Sequence, residues 1–321
     1  MFRVVILGHG EMLGNLIAGV QDANCEIVGV MRYERLKKLD IYTKIKDFVL
    51  PSTEYSYIKS YNVPELKSKS ANSEQFRKEI LKLNPDIVLV GTWGEKLKKE
   101  SIQLPKIAMI NVHPSLLPKY RGPNPYLETI RHQEKMSGIT FHLMSEEYDA
   151  GAILLQKQIE IKPDDTGKEL KERTVLTARS AVTELLNMLA DDFIIPVVQN
   201  EERATYYPQI TRDDIMLDFS KSAEEISAQI RGFYPWSKTY FSYKNRFFTP
   251  NPYELEILDN NTEFTTAGTI LDKNFQENSL TILCGDGKLL KMSKLKLYGR
   301  INRLFTSKYI KYFVDLHDLA L

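Results

Sequence analysis

The run Ile87-Val88-Leu89-Val90-Gly91 constrains this chain more than any other stretch. It is apolar without alternation and follows the stop signal Asn84-Pro85. A strand with one wet face alternates; one that does not is buried on both faces, which requires helices on either side of a mostly parallel sheet. The flanking segments read accordingly. Residues 3–7 form a strand, Gly8 to Gly14 the turn into a helix reaching about residue 21, and residues 26–30 a second strand. Ser73 caps a helix over 73–83, with Phe76, Ile80 and Leu83 on its apolar face. A helical stretch runs over 94–99, a strand over 107–110 and a helix over 124–133. Strands follow at 139–144 and 153–161. The spacing of Leu170, Val175, Leu176, Leu185, Leu186 and Leu189 predicts a helix over 166–189 with Thr166 as its cap. Tyr55, Tyr57 and Tyr61 fit one face of a short strand, or loop aromatics. The expected class is α/β, an open mostly parallel twisted sheet with flanking helices.

At 321 residues two domains are expected. The segment 191–211 lacks periodicity and contains Pro196 and Pro208, so it reads as a linker between residues 1–190 and 212–321. The second part opens with a capped helix over 222–232 ending at Gly232. Short β-like runs follow at 239–243, 253–257, 269–271, 280–284 and 289–297, with Asp286-Gly287 as a hairpin turn. Together they predict a small β-rich, barrel-like C-terminal domain.

Bulk properties exclude several classes. The formal net charge of +1 implies no nucleic-acid or membrane partner for the chain as a whole. No apolar run approaches the ~20 residues of a membrane span. The opening residues run straight into Gly8-His9-Gly10 with no small-residue cleavage site, which makes them a first strand and not a signal peptide. Cys25 and Cys284 lie far apart with no ligand-like spacing, so neither a zinc motif nor a disulfide framework is expected and a cytoplasmic setting is. The opening glycines match a dinucleotide fingerprint loosely, and the second strand ends in Met31-Arg32 without the acid that grips a ribose. A tight strand-to-helix turn is the better reading of them.

The candidate site centres on Asn111-Val112-His113-Pro114-Ser115-Leu116-Leu117-Pro118, where a strand leaves the core. Ligands of open α/β sheets bind at the carboxyl ends of strands. An amide beside an imidazole there suits chemistry at a carbonyl: one holds an oxyanion while the other handles charge or protons. Asp149 lies on the loop after the strand 139–144, within reach of the same cavity. In this order, Asn111-X-His113, the Ser-Leu-Leu-Pro run and Asp149-Ala-Gly151 resemble the signature of formyltransferases that use 10-formyltetrahydrofolate. The resemblance extends through Gln199 to Ile210, Ser220 to Ile226, Ile230-Arg231-Gly232, Pro235-Trp236, Gly268-Thr269-Ile270 and Cys284 to Gly287, and is closest to methionyl-tRNA formyltransferases. It is weakest over residues 31–70.

The resemblance implies Asn111 as oxyanion donor and His113 as the essential histidine. It implies Asp149 as the carboxylate that supports the histidine's charged form and relays the amine's proton through water. The folate would lie along Gly91, Trp93, Gly94, Leu116, Leu117, Pro118, Glu146 and Tyr148, largely on backbone groups. His9, Gly10, Ser115, Arg121 and Gly122 would face the acceptor, and no metal is required.

For the acceptor the residues argue both ways. Lys288, Lys291, Lys294, Lys296, Arg300, Arg303, Lys308 and Lys311 occur with no acid between Gly287 and Val314, which suits initiator tRNA. Tyr298, Phe305 and Tyr309 among them read as core. Against tRNA, Gly8-His9-Gly10, Pro114 and Arg121-Gly122-Pro123-Asn124-Pro125 depart from the tRNA enzymes' pattern. Residues 32–50, with Lys37, Lys38, Lys44 and Lys46, show no clear counterpart of their acceptor-stem loop. A small amine, such as a nucleotide-linked amino sugar or siderophore precursor, is the second reading. A non-catalytic RNA-binding or folate-sensing relative is the third, and the intact Asn111, His113 and Asp149 argue against it.

Overall fold

The structure, a computed structural model, describes residues 1–33, 52–299 and 305–321. Lys37, Lys38, Lys44, Lys46, Arg300 and Arg303 lie outside the described residues. The chain divides into two compact units: residues 1–125, 136–160 and 171–208, and residues 126–135, 161–170 and 209–321.

The first unit is built on a six-stranded sheet. Its strands are β1 (Arg3–Gly8), β2 (Glu26–Arg32), β3 (Ile87–Gly91), β4 (Ala108–His113), β5 (Met136–Leu143) and β6 (Ile153–Glu160), in the order β2-β1-β3-β4-β5-β6. The first four pair in parallel, and β5 runs antiparallel to both its neighbours. Alternate residues of β1 and β3 divide between two cores. Val4, Ile6, Ile87 and Leu89 pack with Leu13, Leu16 and Ile17 of α1 (Gly10–Asp22) and with Val175, Val182 and Leu185 of the helix at Gly167–Ala190. Val5, Leu7, Val88 and Val90 pack with Phe76 and Ile80 of the helix at Glu74–Leu83. Both faces are covered, which is why the β3 run does not alternate. The chain turns from β1 to β2 on one side and returns to β3 on the other. That places a topological switch between β1 and β3 at the strands' carboxyl ends.

Several expectations change. Residues 53–60 form α2 (Thr53–Ser60), neither strand nor loop: Tyr57 and Tyr61 stack one helical turn apart, with ring centroids 6.4 Å apart. The Ser73-capped helix is α3 (Glu74–Leu83), and Ser73 Oγ accepts from Phe76 N at 3.1 Å. Residues 94–98 are not helical. Glu95 is drawn off to Ala71 N at 2.9 Å, and Lys98 N donates to Asn72 Oδ1 at 2.7 Å, so α4 (Lys99–Ile102) starts only beyond them. After α5 (Pro125–Arg131) comes α6 (Gly167–Ala190), on which Leu176 faces solvent. Residues 191–208 are packed into the first unit. Val197 pairs with Ile153 beside β6, and Tyr206 bridges to Arg121.

In the second unit α7 (Ala223–Phe233) carries a full capping box between Ser222 and Glu225. Gly232 lies inside this helix and does not end it; a Cβ there would stand 2.9 Å from Leu127 O, so it marks a close helix approach. The strands β7 (Phe241–Tyr243), β8 (Arg246–Thr249), β9 (Leu255–Leu258), β10 (Ile270–Asn274), β11 (Ser279–Leu283), β12 (Leu289–Met292) and β13 (Lys296–Leu297) form antiparallel sheets ordered β10-β11-β12-β9 and β13-β8-β7. The run 289–297 is two strands in different sheets, because Lys294 takes a left-handed φ of 52° between them. Sequence reading missed β8, whose hairpin turns on Lys244 and Asn245, both left-handed, without the usual Asn-Gly signal. It also missed α8 (Thr306–Phe313), which buries only Thr306 and Ile310 fully. Tyr298 and Phe305 are exposed and not core; Tyr309 packs partly against the core.

Candidate active site

Strand β4 carries Asn111 and His113 to the carboxyl edge of the sheet, and β5 beside it presents His142 opposite Asn111. The loop after β5 returns Asp149 to them in a left-handed conformation, φ 54°. Four side chains thus converge. Asn111 Nδ2 lies 3.0 Å from His142 Nε2 and 3.3 Å from Asp149 Oδ1. His113 Nδ1 lies 3.4 Å from the same carboxylate oxygen. The second oxygen, Oδ2, accepts from Gly122 N at 3.0 Å.

The tautomers follow from what each ring faces. Leu143 O can only accept, so His142 Nδ1, 2.9 Å away, carries the proton and donates. His142 Nε2 is then a lone pair, and it receives the Asn111 amide N–H. This sets the amide's orientation, with its nitrogen toward His142 and Asp149. Burial, and then the neighbouring His113, push His142 down to about 4, so it stays a neutral acceptor. His113 Nε2 donates to Tyr120 O at 2.8 Å, which leaves Nδ1 turned to Asp149. His113 and His142 are nearly fully buried, at 4% and 2% exposure, so little water competes for these contacts.

The Asp149 loop is held from behind. Gln199 Nε2 donates to Asp149 O and to Gly151 O, each at 2.7 Å. The guanidinium of Arg121 grips Gln199 Oε1 at 2.8 Å and Glu201 Oε1 at 2.7 Å. Arg121, expected to face the acceptor, is therefore a buried clamp on the 199–201 segment. Gly122 (φ 112°) has no room for a side chain: its Cβ would stand 2.2 Å from Tyr207 O. Gly151 has none either, with Leu143 O at 1.8 Å.

Of the residues expected to hold folate, Trp93, Glu146 and Tyr148 line one cleft with Asn111, His142 and Asp149. The indole Nε1 of Trp93 is buried there without a hydrogen-bond partner among the described residues, a donor that a ligand acceptor would satisfy. Leu116, Leu117 and Pro118 do not line this cleft. Leu116 is packed over Gly138, and Leu117 N donates to Thr140 Oγ1 at 3.2 Å. Gly91 abuts Leu16 and Met12, and Gly94 abuts Tyr33. Ser115 Oγ is committed to Lys119 O at 2.8 Å. His9 follows β1, with Nδ1 3.9 Å from a carboxylate oxygen of buried Glu54, and Gly10 opens α1. Sequence reading missed His142 and Gln199. A histidine inside the apolar run Ile139-Thr140-Phe141-His142 was the one available signal for the first. Nothing local marks Gln199.

Residues 2–186 match the family described as formyl transferase, and residues 209–302 match formyl transferase, C-terminal domain. The chain belongs to this family, whose enzymes take their formyl group from a formyl-tetrahydrofolate. The methionyl-tRNA formyltransferase of Enterococcus faecalis is 31% identical over 94% of this chain and 93% of its own length. That of Thermotoga maritima is 34% identical over 72% of each. Among solved structures, an N-formyltransferase from Helicobacter canadensis, in complex with folinic acid and dTDP-3-aminofucose, superposes with a TM-score of 0.67. It is 17% identical, over 91% of this chain and 99% of its own. No helix among the described residues is long and apolar enough to cross a membrane.

Proposed function

We propose that this enzyme formylates the amino group of methionyl-tRNA, using Asn111, His113 and Asp149 as its catalytic residues in a domain of residues 1–190. The approach of Asn111 and His113 to within 3.3–3.4 Å of one carboxylate oxygen of Asp149 carries the chemical part of the reading. Whole-length likeness to methionyl-tRNA formyltransferases supports the acceptor.

The amine attacks the formyl carbon of 10-formyltetrahydrofolate, and the carbonyl oxygen becomes an oxyanion. Asn111 has one N–H locked on His142 and a longer one on Asp149. The longer contact is the one it exchanges for the oxyanion. His113 acts as the imidazolium, with Nε2–H on Tyr120 O and Nδ1–H presented to the same region as the second donor. Asp149 takes the amine's proton, directly or through one water, and N10 leaves with a proton from His113. The proton that Asp149 took from the amine then returns to His113 Nδ1, 3.4 Å away. Trp93, Glu146 and Tyr148 flank the pterin, and His9 and Gly10 face the acceptor. The near-complete burial of both histidines keeps bulk water from their ring nitrogens.

A specific observation favours the second reading, a small amine. Lys288 is paired with Glu224 at 2.5 Å, Lys294 with Glu254, and Lys291 lies 3.7 Å from Glu277 and 3.8 Å from Glu256. Part of the basic run is thus neutralised within its own unit. Turnover of 10-formyltetrahydrofolate with charged initiator methionyl-tRNA tests the proposal. Rapid turnover supports it, and activity only with an amino-sugar nucleotide replaces it with the second reading. Activity retained in full by His113→Ala removes the catalytic assignment.

A further inference from the structure

The second unit contains a cavity of about 490 Å³ that shares no residue with the candidate active site. This lies within the ~300–1,000 Å³ typical of small-molecule sites. One wall is a stripe of α7: Glu224, Ser227 and Arg231, spaced three and four residues apart, share one helical face. The facing wall is the start of β9, an edge strand of its sheet, where Leu255 and Ile257 point the same way and Tyr253 precedes them. The cavity therefore has a polar side opposite an apolar, aromatic one.

Arg231 is the unusual group. Its Nη1 donates to the backbone oxygen of Asp165 at 2.7 Å, and no carboxylate pairs with it among the described residues. The nearby carboxylates are engaged elsewhere or exposed to solvent. Asp165 accepts from Lys162 N at 2.6 Å, Glu224 is neutralised by Lys288 at 2.5 Å, and Asp164, which also lines the cavity, is exposed to solvent that screens it. Burial lowers the Arg231 pKa from its ordinary value, while Asp164 and Asp165 offset this only through space. Arg231 is half-buried, and its only direct bond among the described residues is to a backbone oxygen, so a ligand anion would add a charge-assisted contact that the nearby carboxylates do not make. Ser227, 8% exposed, sits one turn before it on the same face and supplies a hydroxyl. Tyr253 donates to Glu169 Oε1 at 2.9 Å, and burial together with that bond raises its phenol to about 12, so its ring is a fixed, uncharged wall.

We propose that this cavity binds a small ring compound bearing a phosphate or carboxylate, its anionic group on Arg231 and Ser227 and its ring against Tyr253, Leu255 and Ile257. The site is independent of the formyl acceptor's identity.

Calorimetric titration of the full chain, saturated with 5-formyltetrahydrofolate to occupy the catalytic cleft, tests it with three probes: adenosine monophosphate, benzoate and inorganic phosphate. A ring-bearing anion should bind with a Kd below about 1 mM and more tightly than phosphate alone. Adenosine monophosphate or benzoate as the tighter ligand identifies the anion as phosphate or carboxylate. Arg231→Leu should weaken binding at least tenfold, and Arg231→Lys should restore part of it. Ile257→Trp, on the partly exposed edge strand, should fill the cavity and abolish binding while leaving Arg231 and the thermal midpoint intact. Absence of binding by all three probes up to about 10 mM overturns the proposal, as does affinity unchanged in both Arg231→Leu and Ile257→Trp.

Discussion

Asp149 in the first unit and the lysines of the second unit handle charge in opposite ways. Asp149 gathers Asn111, His113 and the Gly122 amide from sequence separations of 27 to 38 residues, with the Asp149 side chain only 11% and the His113 side chain 5% exposed. Lys288, Lys291 and Lys294 each meet a carboxylate at or near the surface, where solvent screens the pair. A buried charge with several donors aimed at it is poised for chemistry, because little solvent dilutes its field. An exposed ion pair contributes little to stability and offers little free charge to a partner. Catalysis should therefore be sensitive to single changes in the first region, and the second should tolerate them.

The largest effect is expected from His113→Ala or Asp149→Asn. Each should lower kcat by about 10²–10⁴ while the KM for folate moves no more than about threefold. Single-turnover assays with saturating folate measure this. An equal reduction on reversing Lys291 and Lys294 to Glu would break the comparison.

Gln199→Ala comes next. It deletes two hydrogen bonds to the backbone of the Asp149 loop and the two from Arg121 Nε and Nη2. Removal of these buried bonds should cost about 1–3 kcal/mol in denaturant unfolding and roughly tenfold in kcat. Full activity in this variant would mean that the loop holds Asp149 without help from behind.

The lysines sharpen the other side of the comparison. Lys296, Lys308 and Lys311 have no carboxylate partner among the described residues; Lys311 lies over the rings of Phe275 and Tyr312 at 4.9 and 5.1 Å. If tRNA is the acceptor, Lys296→Glu with Lys308→Glu should raise its KM about tenfold. The slope of its salt dependence should flatten by roughly one for each phosphate that the variant no longer neutralises. Replacing the paired Lys294 by Met should change that KM less than about twofold. Equal effects in the two variants would show that ion pairing does not sort these lysines.

The smallest effect concerns pH. His142 titrates near 4 in the folded chain, below the ~6.5 of an unfolded histidine. Between those values the unfolded state holds a proton that the folded state does not. Stability is thus fully present above pH ~6.5 and falls as the pH drops toward 4. His142→Gln, which still accepts from Asn111, should lose less of its thermal midpoint between pH 7 and pH 5 than the parent. The same decline in both chains would contradict a neutral His142.

Much of the first unit was legible in the chain because its signals are local. The unalternating β3 run, the Ser73 cap and the spacing along α6 each involve residues a few positions apart. The failures also share a cause. Glycine-poor left-handed turns at Lys244-Asn245 and Lys294, and the capture of Glu95 by residues 70–72, depend on partners that local pattern does not register. Asn111, His113 and Asp149 were readable as residue types at strand ends. The geometry that unites them was not.

The sequence by itself determined the layered α/β architecture, the β-rich second part and the family. Hydrophobic period, caps and motif order are properties of neighbouring residues. Only the tertiary structure decided how the site's polar groups are spent. It committed Arg121 to Gln199 and Glu201, Ser115 to a turn, and three lysines to carboxylates of their own unit. It also brought in His142 to orient Asn111 and left Arg231 beside a cavity. A side chain's function depends on which partners remain to it after folding, and those partners are chosen by long-range packing.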